Sequence, residues 1–298
     1  MSAEALACPV QALRLTVLVE NTAAGRGLVP EHGFAALLET ERGRVLFDTG
    51  ASGRALAGNA AALGVALAGL DAIVLSHGHY DHTGGLAAAL AAAPKARVHF
   101  HWRCTADRWA RRFGFRKAIG MPQESRRALD RAQRQPVAGP TVLEEGVLLS
   151  GPVPGPPSPA QRGFLMDSDG GPAPDAFEDE VFLLARTPEG WVLVTGCCHR
   201  GPGNTLAWAR HLAGEEPIAA VVGGLHLKRL GRAAWDEAAS ALREAGVREV
   251  LAGHCTGEAA LAHLAARLGQ GVRPLRVGLA WAWPHPPGAD RAAASENA

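Results

Sequence analysis

The sequence lacks several features that would assign it a class outright. Its 298 residues include one tyrosine, five cysteines and almost no net charge, with a formal value of +1. A near-neutral balance gives no overall electrostatic reason to expect a nucleic-acid or membrane partner. Cys8, Cys104, Cys197, Cys198 and Cys255 are an odd set without the spacing of a disulfide framework, which fits a reducing compartment. No apolar run reaches the length of a membrane span, and Met1 to Gln11 lacks a basic segment followed by an apolar core. The expectation is a cytoplasmic protein. Nothing in the sequence fixes its oligomeric state.

What is present is enough for a large core, since 47% of the residues are hydrophobic. Leu13, Leu15, Val17 and Val19 predict a first strand ending at Glu20-Asn21. Phe34 to Glu39 and Arg44 to Phe47 read as a hairpin closing on Asp48-Thr49-Gly50, followed by a helix from Arg54 to Leu63. The second half alternates strands (Val181 to Ala185, Trp191 to Thr195, Ile218 to Val222, Glu249 to Ala252, Leu275 to Val277) with helices (Asn204 to His211, Ala233 to Ala245, Glu258 to Leu268). That order predicts sheets layered with helices. The expected organisation is one domain over residues 1–283, with a disordered tail over 284–298.

Between strand Ala72 to Leu75 and helix Leu86 to Ala93 lies Ser76-His77-Gly78-His79-Tyr80-Asp81-His82. Three imidazoles and a carboxylate within six positions, on a loop backed by a buried strand, offer the ligands that Zn²⁺ prefers. His77 and His79 suit one ion, Asp81 and His82 a second. Mn²⁺ and Fe²⁺ accept the same donors, so metal identity stays open.

Three later strands also end in glycine-flanked histidines: Gly196-Cys197-Cys198-His199-Arg200-Gly201, Gly223-Gly224-Leu225-His226-Leu227 and Gly253-His254-Cys255-Thr256-Gly257. Loops just past strand ends are where sites gather in layered sheets, and the recurrence predicts one shared site. His99, His101, His211, His263 and His285 fall on strand, helix or tail positions and are assigned no metal role.

Two middle segments stand apart. Residues 103–134 hold ten basic residues against three acidic ones, interleaved with Trp102, Trp109, Phe113 and Phe115. They read either as two solvated helices or as a basic helical arm, about 103–135, that attracts an anionic substrate through residues such as Arg111 and Arg112. Residues 151–174 are dense in Pro and Gly and read as a surface loop or lid.

The metal loop, together with Asp48-Thr49-Gly50, resembles the metallo-β-lactamase superfamily. That resemblance implies a four-layer αββα sandwich of class α/β (α+β), two metal ions at one edge of the paired sheets, and Asp48 supporting the metal loop from behind. Glu20-Asn21, Glu31-His32-Gly33, Gly196 to Gly201 with Asn204-Thr205, Gly223 to Leu227 and Gly253 to Gly257 are further similar to the 7,8-dihydropterin-6-ylmethyl-4-(β-D-ribofuranosyl)aminobenzene 5′-phosphate synthases of methanopterin-type cofactor biosynthesis.

The superfamily takes a third histidine from mid-chain, yet none stands between His101 and His199. His199 is therefore expected to complete the first site and His254 the second. The superfamily's bridging aspartate then falls near Cys197; the alternatives are that Asp179 or Glu180 supplies the carboxylate, or that only one of the two sites is filled. The expected catalytic groups are Asp81, His226 and His32. The expected substrate contacts are Glu31, Asn21, Arg200, Asn204, Arg111 and Arg112. Three functions fit: dihydropterin-methyl transfer to an aminobenzene ribofuranosyl phosphate with diphosphate release; ester, thioester or phosphoester hydrolysis by a metal-activated hydroxide; or metal-dependent ligand binding without turnover. All three take a small molecule as partner, phosphorylated in the first.

Overall fold

The computed structural model describes residues 8–112 and 115–285, apart from the side chains of Arg112 and Ala160. The first part runs β1 (Leu13–Val19), β2 (Ala35–Thr40), β3 (Arg44–Phe47), α1 (Gly53–Ala62), β4 (Ala72–Val74), α2 (Tyr80–Thr83), α3 (Leu86–Ala92) and β5 (Arg97–Phe100). The middle carries β6 (Arg108–Arg112), β7 (Phe115–Ala118), α4 (Gln123–Arg131), β8 (Gln133–Pro136), β9 (Thr141–Glu144), β10 (Val147–Leu149), β11 (Phe164–Met166) and β12 (Ala173–Pro174). The last part runs β13 (Phe182–Thr187), β14 (Gly190–Thr195), α5 (Pro202–Ala213), β15 (Ile218–Gly224), α6 (Arg232–Glu244), β16 (Glu249–Gly253), α7 (Glu258–Leu268), β17 (Val272–Pro274) and β18 (Ala280–Trp283).

The strands form two seven-stranded sheets, ordered β18-β1-β2-β3-β4-β5-β8 and β17-β16-β15-β14-β13-β10-β9. Successive residues of a strand face opposite ways, so each strand feeds two cores. Leu15, Val17, Val45, Phe47 and Val74 meet Leu183, Val194, Val222 and Leu251 between the sheets. The alternate residues Leu18, Leu37, Leu46 and Ile73 pack under α1, α3 and α4. Leu184, Leu193, Val221 and Val250 pack under α5, α6 and α7. Burial of both faces is why these strands read as continuous apolar runs, and it makes the fold the expected αββα layering.

Four departures from the sequence reading have physical causes, and the first is that the strand expected at Leu275 to Val277 falls earlier, as β17, where Val272 to Pro274 pair with β16. The basic segment is not a pair of helices: β6 and β7 form a hairpin, and among the described residues α4 is its α-helix, with a short 3-10 turn at Trp102–Thr105. Strand β11, from the Pro/Gly-rich segment, pairs with β6 through Phe164 with Ala110 and Met166 with Arg108, and β12 completes a four-stranded sheet. This pairing, with Arg108 turned inward, overrides local helical preference. Val142 to Leu149 splits at Gly146 into β9 and β10. The tail does not begin at Pro284, because His285 Nε2 lies 3.1 Å from Glu249 Oε1 and its ring meets Trp281. The rest of that predicted tail, residues 286–298, lies outside the described residues, as do Phe113 and the first seven residues.

Candidate metal centre

Strands β3 and β4 run parallel, and so do β14, β15 and β16, so the loops at their carboxyl ends open on one edge of the sandwich. Two ligand sets converge there. His77, His79 and His199 bring ligand atoms within 4.8 Å of one another. Beside them, His82 Nε2 stands 3.2 Å from His254 Nε2, and Asp81 Oδ2 lies 3.5 Å from His254 Nε2 and 3.9 Å from His82 Nε2. Cys197 Sγ is 3.3 Å from His82 Nε2; it also groups with His77 and His82, and separately with His254 and Cys255. The thiol therefore sits between the two sets.

Hydrogen bonds behind the rings decide which nitrogens face inward. The Asp48 carboxylate accepts from Ser76 N at 2.7 Å, from Ser76 Oγ at 2.7 Å and from His82 Nδ1 at 2.6 Å. Because the Ser76 hydroxyl is spent on Asp48, its oxygen must accept from His77 Nδ1, 2.8 Å away. The inward Nε2 of His77 is thus a bare lone pair, whereas His82, whose pKa burial lowers but Asp48 and Asp81 raise by more, gives up its Nε2 proton when a cation takes that place. His77 Nε2 faces His199 Nε2 at 3.2 Å, and the Nε2 of His79 is buried without a partner. Burial holds the pKa of His77, His79, His199 and His254 well below the ordinary histidine range, so these rings are neutral. Lone pairs held this close in a dry pocket repel one another, and divalent cations are what they fit. Asp81 is ionised: burial works against its charge, but the charge of His82 and the hydrogen bond from His32 hold its pKa below the carboxylate range. Burial pushes the Cys197 thiol well up, so it ionises only against a cation.

Three of the four histidine loops are pinned by a buried carboxylate, and the His226 loop is held by Thr256, whose hydroxyl accepts from Leu225 N at 3.0 Å. Asp179 Oδ2 accepts from Gly78 N at 2.8 Å, Glu180 accepts from His199 N and Arg200 N, and Glu20 accepts from His254 N. Burial pushes Glu180 up to about 7 despite those hydrogen bonds. Asp179 and Glu180 therefore hold loop backbone and belong to neither ligand set. Non-glycine residues rarely adopt a left-handed φ, yet Asp48, Phe177, Cys198, His226 and His254 do so at 49 to 58°. All five lie in or against this site, where surrounding contacts hold the strain.

Gly78 needs no left-handed φ; it needs room. A Cβ there would stand 2.0 Å from Arg108 Nη1 and 2.3 Å from the Cys104 carbonyl oxygen. Arg108 is fully buried and pairs with Asp175 at 2.8 Å and Asp179 at 2.7 Å. The basic hairpin is thereby tied to the metal loop.

The remaining predicted residues divide by their contacts. His32 is exposed, with Nε2 3.2 Å from Asp81 Oδ2. His226 is half-buried with its ring centroid 4.4 Å from that of His199. Asn21 Nδ2 donates to the His254 carbonyl at 2.9 Å and its Oδ1 lies 3.3 Å from His254 Nδ1, so it orients that ring. Glu31 gives both oxygens to Ala51, Ser52 and the start of α1. Asn204 donates to the Pro156 and Arg200 carbonyls, and Arg200 donates to the Ala176 carbonyl. These four residues build walls and loops around the ligand sets. Arg111 is exposed on the hairpin, and the Arg112 side chain lies outside the described residues.

The sequence reading missed Gln161, Phe164 and Phe177, which close over the first set. Phe177 stacks on His199 at 4.1 Å and 11°, and Phe164 meets His79, His199 and His226. It also missed Cys255 as a donor and Arg108 as a buried ion. Only the oddity of apolar residues in a Pro/Gly-rich segment could have pointed to Phe164.

The sequence pattern of the metallo-beta-lactamase superfamily matches residues 28–171. The chain is 32% identical over 215 residues to the uncharacterized protein MJ0448 of Methanocaldococcus jannaschii, covering 72% of this chain and 79% of that one. It is 27% identical over 239 residues to the 7,8-dihydropterin-6-methyl-4-(beta-D-ribofuranosyl)-aminobenzene-5′-phosphate synthase of the same organism, covering 76% and 81%. Among solved structures, Tm1679, described as a metal-dependent hydrolase of the beta-lactamase superfamily, superposes with a TM-score of 0.78 at 30% identity, over 90% of this chain and 98% of that one. Zn²⁺-bound PqqB from Methylobacterium extorquens shares the fold, with a TM-score of 0.56 at 11% identity over 90% and 99%. On its sequence pattern, its layered sheets and its relatives together, the chain belongs to the metallo-beta-lactamase superfamily.

Proposed function

We propose that this metal-dependent enzyme of the superfamily acts on a phosphorylated, aromatic small molecule, transferring a dihydropterin-methyl group to an aminobenzene ribofuranosyl phosphate with release of diphosphate. The observation that carries metal dependence is the pair of converging ligand sets with their closely facing, inward Nε2 atoms. His77, His79 and His199 would hold one divalent ion, and Asp81, His82 and His254 a second, with Cys197 between them; zinc suits the thiol and imidazole donors best. Bound ions would supply Lewis acidity, which polarises an electrophile and neutralises charge on a departing oxygen.

The chain's own residues supply the rest. Phe164 and Phe177 shield the first set from water, and flat faces of this kind suit an aromatic substrate. Arg111, Arg116 and Lys117 on the hairpin give an exposed positive surface for phosphate groups. His32, exposed beside Asp81, is the group placed to exchange a proton with solvent. The transfer reading draws its support from the 27% identical synthase.

A second reading, hydrolysis of an ester, thioester or phosphoester, is supported by the likeness to Tm1679. The deciding assay is diphosphate release from the dihydropterin-methyl diphosphate, with and without the aminobenzene substrate. Release that requires both substrates supports transfer, and release from the diphosphate alone sinks it in favour of hydrolysis. Neutralising Arg111 and Arg112 together should raise KM for phosphorylated substrates and leave uncharged ones unchanged.

A further inference from the structure

Gln161 ends a short 3-10 turn, Pro159–Gln161, in the Pro/Gly-rich segment, and its side chain is buried. Its amide lies between two imidazoles that come from other loops. Oε1 is 2.8 Å from His199 Nδ1, and Nε2 is 3.2 Å from His226 Nδ1. A primary amide has one accepting end and one donating end, so what it takes from one ring fixes what it gives to the other.

The chain of constraint starts at the first ligand set. His199 Nε2 faces His77 Nε2 at 3.2 Å, and a nitrogen that offers its lone pair to a cation leaves the ring hydrogen on Nδ1. His199 Nδ1–H must then donate to Gln161 Oε1. The amide NH₂ is thereby turned toward His226 Nδ1, which accepts. A neutral imidazole that accepts at Nδ1 carries its hydrogen on Nε2.

We infer that Gln161 is a positioning residue that couples the ligand state of His199 to His226 and holds His226 as the Nε2–H tautomer, a neutral hydrogen-bond donor for negative charge developing on a substrate oxygen. This rests on the reading of His77, His79 and His199 as a metal set. It also changes the expected part of His226. A neutral Nε2–H ring does not take a proton at Nε2 and does not readily give one away; it stabilises charge in the manner of an oxyanion hole. The left-handed backbone at His226 and the edge of Phe164 against its ring keep that donor in place.

The test is ¹⁵N-resolved long-range spectra of the imidazoles in the full chain loaded with Zn²⁺, with His226 assigned through His226→Gln and metal content measured on the same sample. The expected result is a single Nε2–H pattern for His226. Gln161→Glu offers only acceptors to both rings and should replace it by the Nδ1–H pattern. Gln161→Met, which keeps the bulk of the side chain, should leave a mixture of the two, as should removal of the metal by a chelator. A His226 ring that is Nδ1–H in the zinc-loaded protein, or a pattern unchanged in Gln161→Glu, overturns the inference while leaving the metal set intact. Failure of the unmutated chain to retain zinc overturns both, and the metal analysis tells that case from the first.

Discussion

Replacing Arg108 by methionine tests how the basic hairpin supports the metal loop. Methionine keeps most of the side-chain volume and removes the guanidinium that reaches Asp175 at 2.8 Å and Asp179 at 2.7 Å. All three groups are fully buried, so two carboxylates are left without their cation in a dry interior. Breaking a buried pair by removing one partner costs about 3–5 kcal/mol, against a total stability of roughly 5–15 kcal/mol. With a urea slope of about 3 kcal/mol per molar, the unfolding midpoint should fall by about 1 M or more, read by circular dichroism and tryptophan fluorescence together. Asp179 also accepts from Gly78 N, so zinc affinity should fall with stability. The double substitution Arg108→Met with Asp175→Asn removes one orphaned charge and should recover part of the loss. A midpoint unmoved in Arg108→Met, or no recovery in the double variant, would refute the reasoning.

Gly78→Ala places a methyl group against Arg108 Nη1 and the Cys104 carbonyl and should lower both stability and metal retention, while Gly58→Ala, with open space around an exposed helix position, should stabilise by about 0.5–1 kcal/mol; equal effects of the two in thermal unfolding would be wrong for this account. His99, on β5, has its pKa held down to about 4 by burial and by Arg97. The unfolded chain then binds a proton that the folded chain refuses, so stability rises with pH between about 4 and 6.5 and is lost as pH falls through that window. His99→Leu should flatten this part of the stability curve, and an unchanged slope would count against the assignment. Asp48→Asn cannot accept from Ser76 and His82 alike, and should weaken zinc binding about 10- to 100-fold in a chelator competition; an unchanged affinity would remove Asp48 from its supporting role.

Much of the sandwich was legible because its strands and helices have strong local signatures. The β2–β3 hairpin, α1, β4, β14 to β16 and α7 all lie within a residue or two of where apolar pattern and glycine stops put them. Strand β8 was not legible, since Gln133 to Pro136 is polar and exposed and is a strand only because β5 pairs with it. Strand β18 depends likewise on pairing with β1. At the site, histidines announced themselves through glycine-flanked loops at strand ends. Their supports did not: Glu20, Asp179 and Glu180 act through backbone N–H groups, and a buried acid at a strand end carries no pattern of its own. Gln161 was invisible for a further reason, since its role depends on two rings that are 38 and 65 residues away in sequence. The polar substrate contacts inferred from resemblance illustrate the same limit, because Glu31 and Asn204 are engaged by neighbouring loops that only the folded chain brings to them.

The central claim is that two adjacent ligand sets each hold a divalent ion. Zinc bound per chain, measured on the purified protein after dialysis against trace zinc, tests it most directly when set beside His199→Ala and His254→Ala. The account predicts two ions in the unmutated chain and loss of one in each variant, with the combined variant holding neither. Zinc absent from the unmutated chain, or the same content in all four proteins, would contradict it.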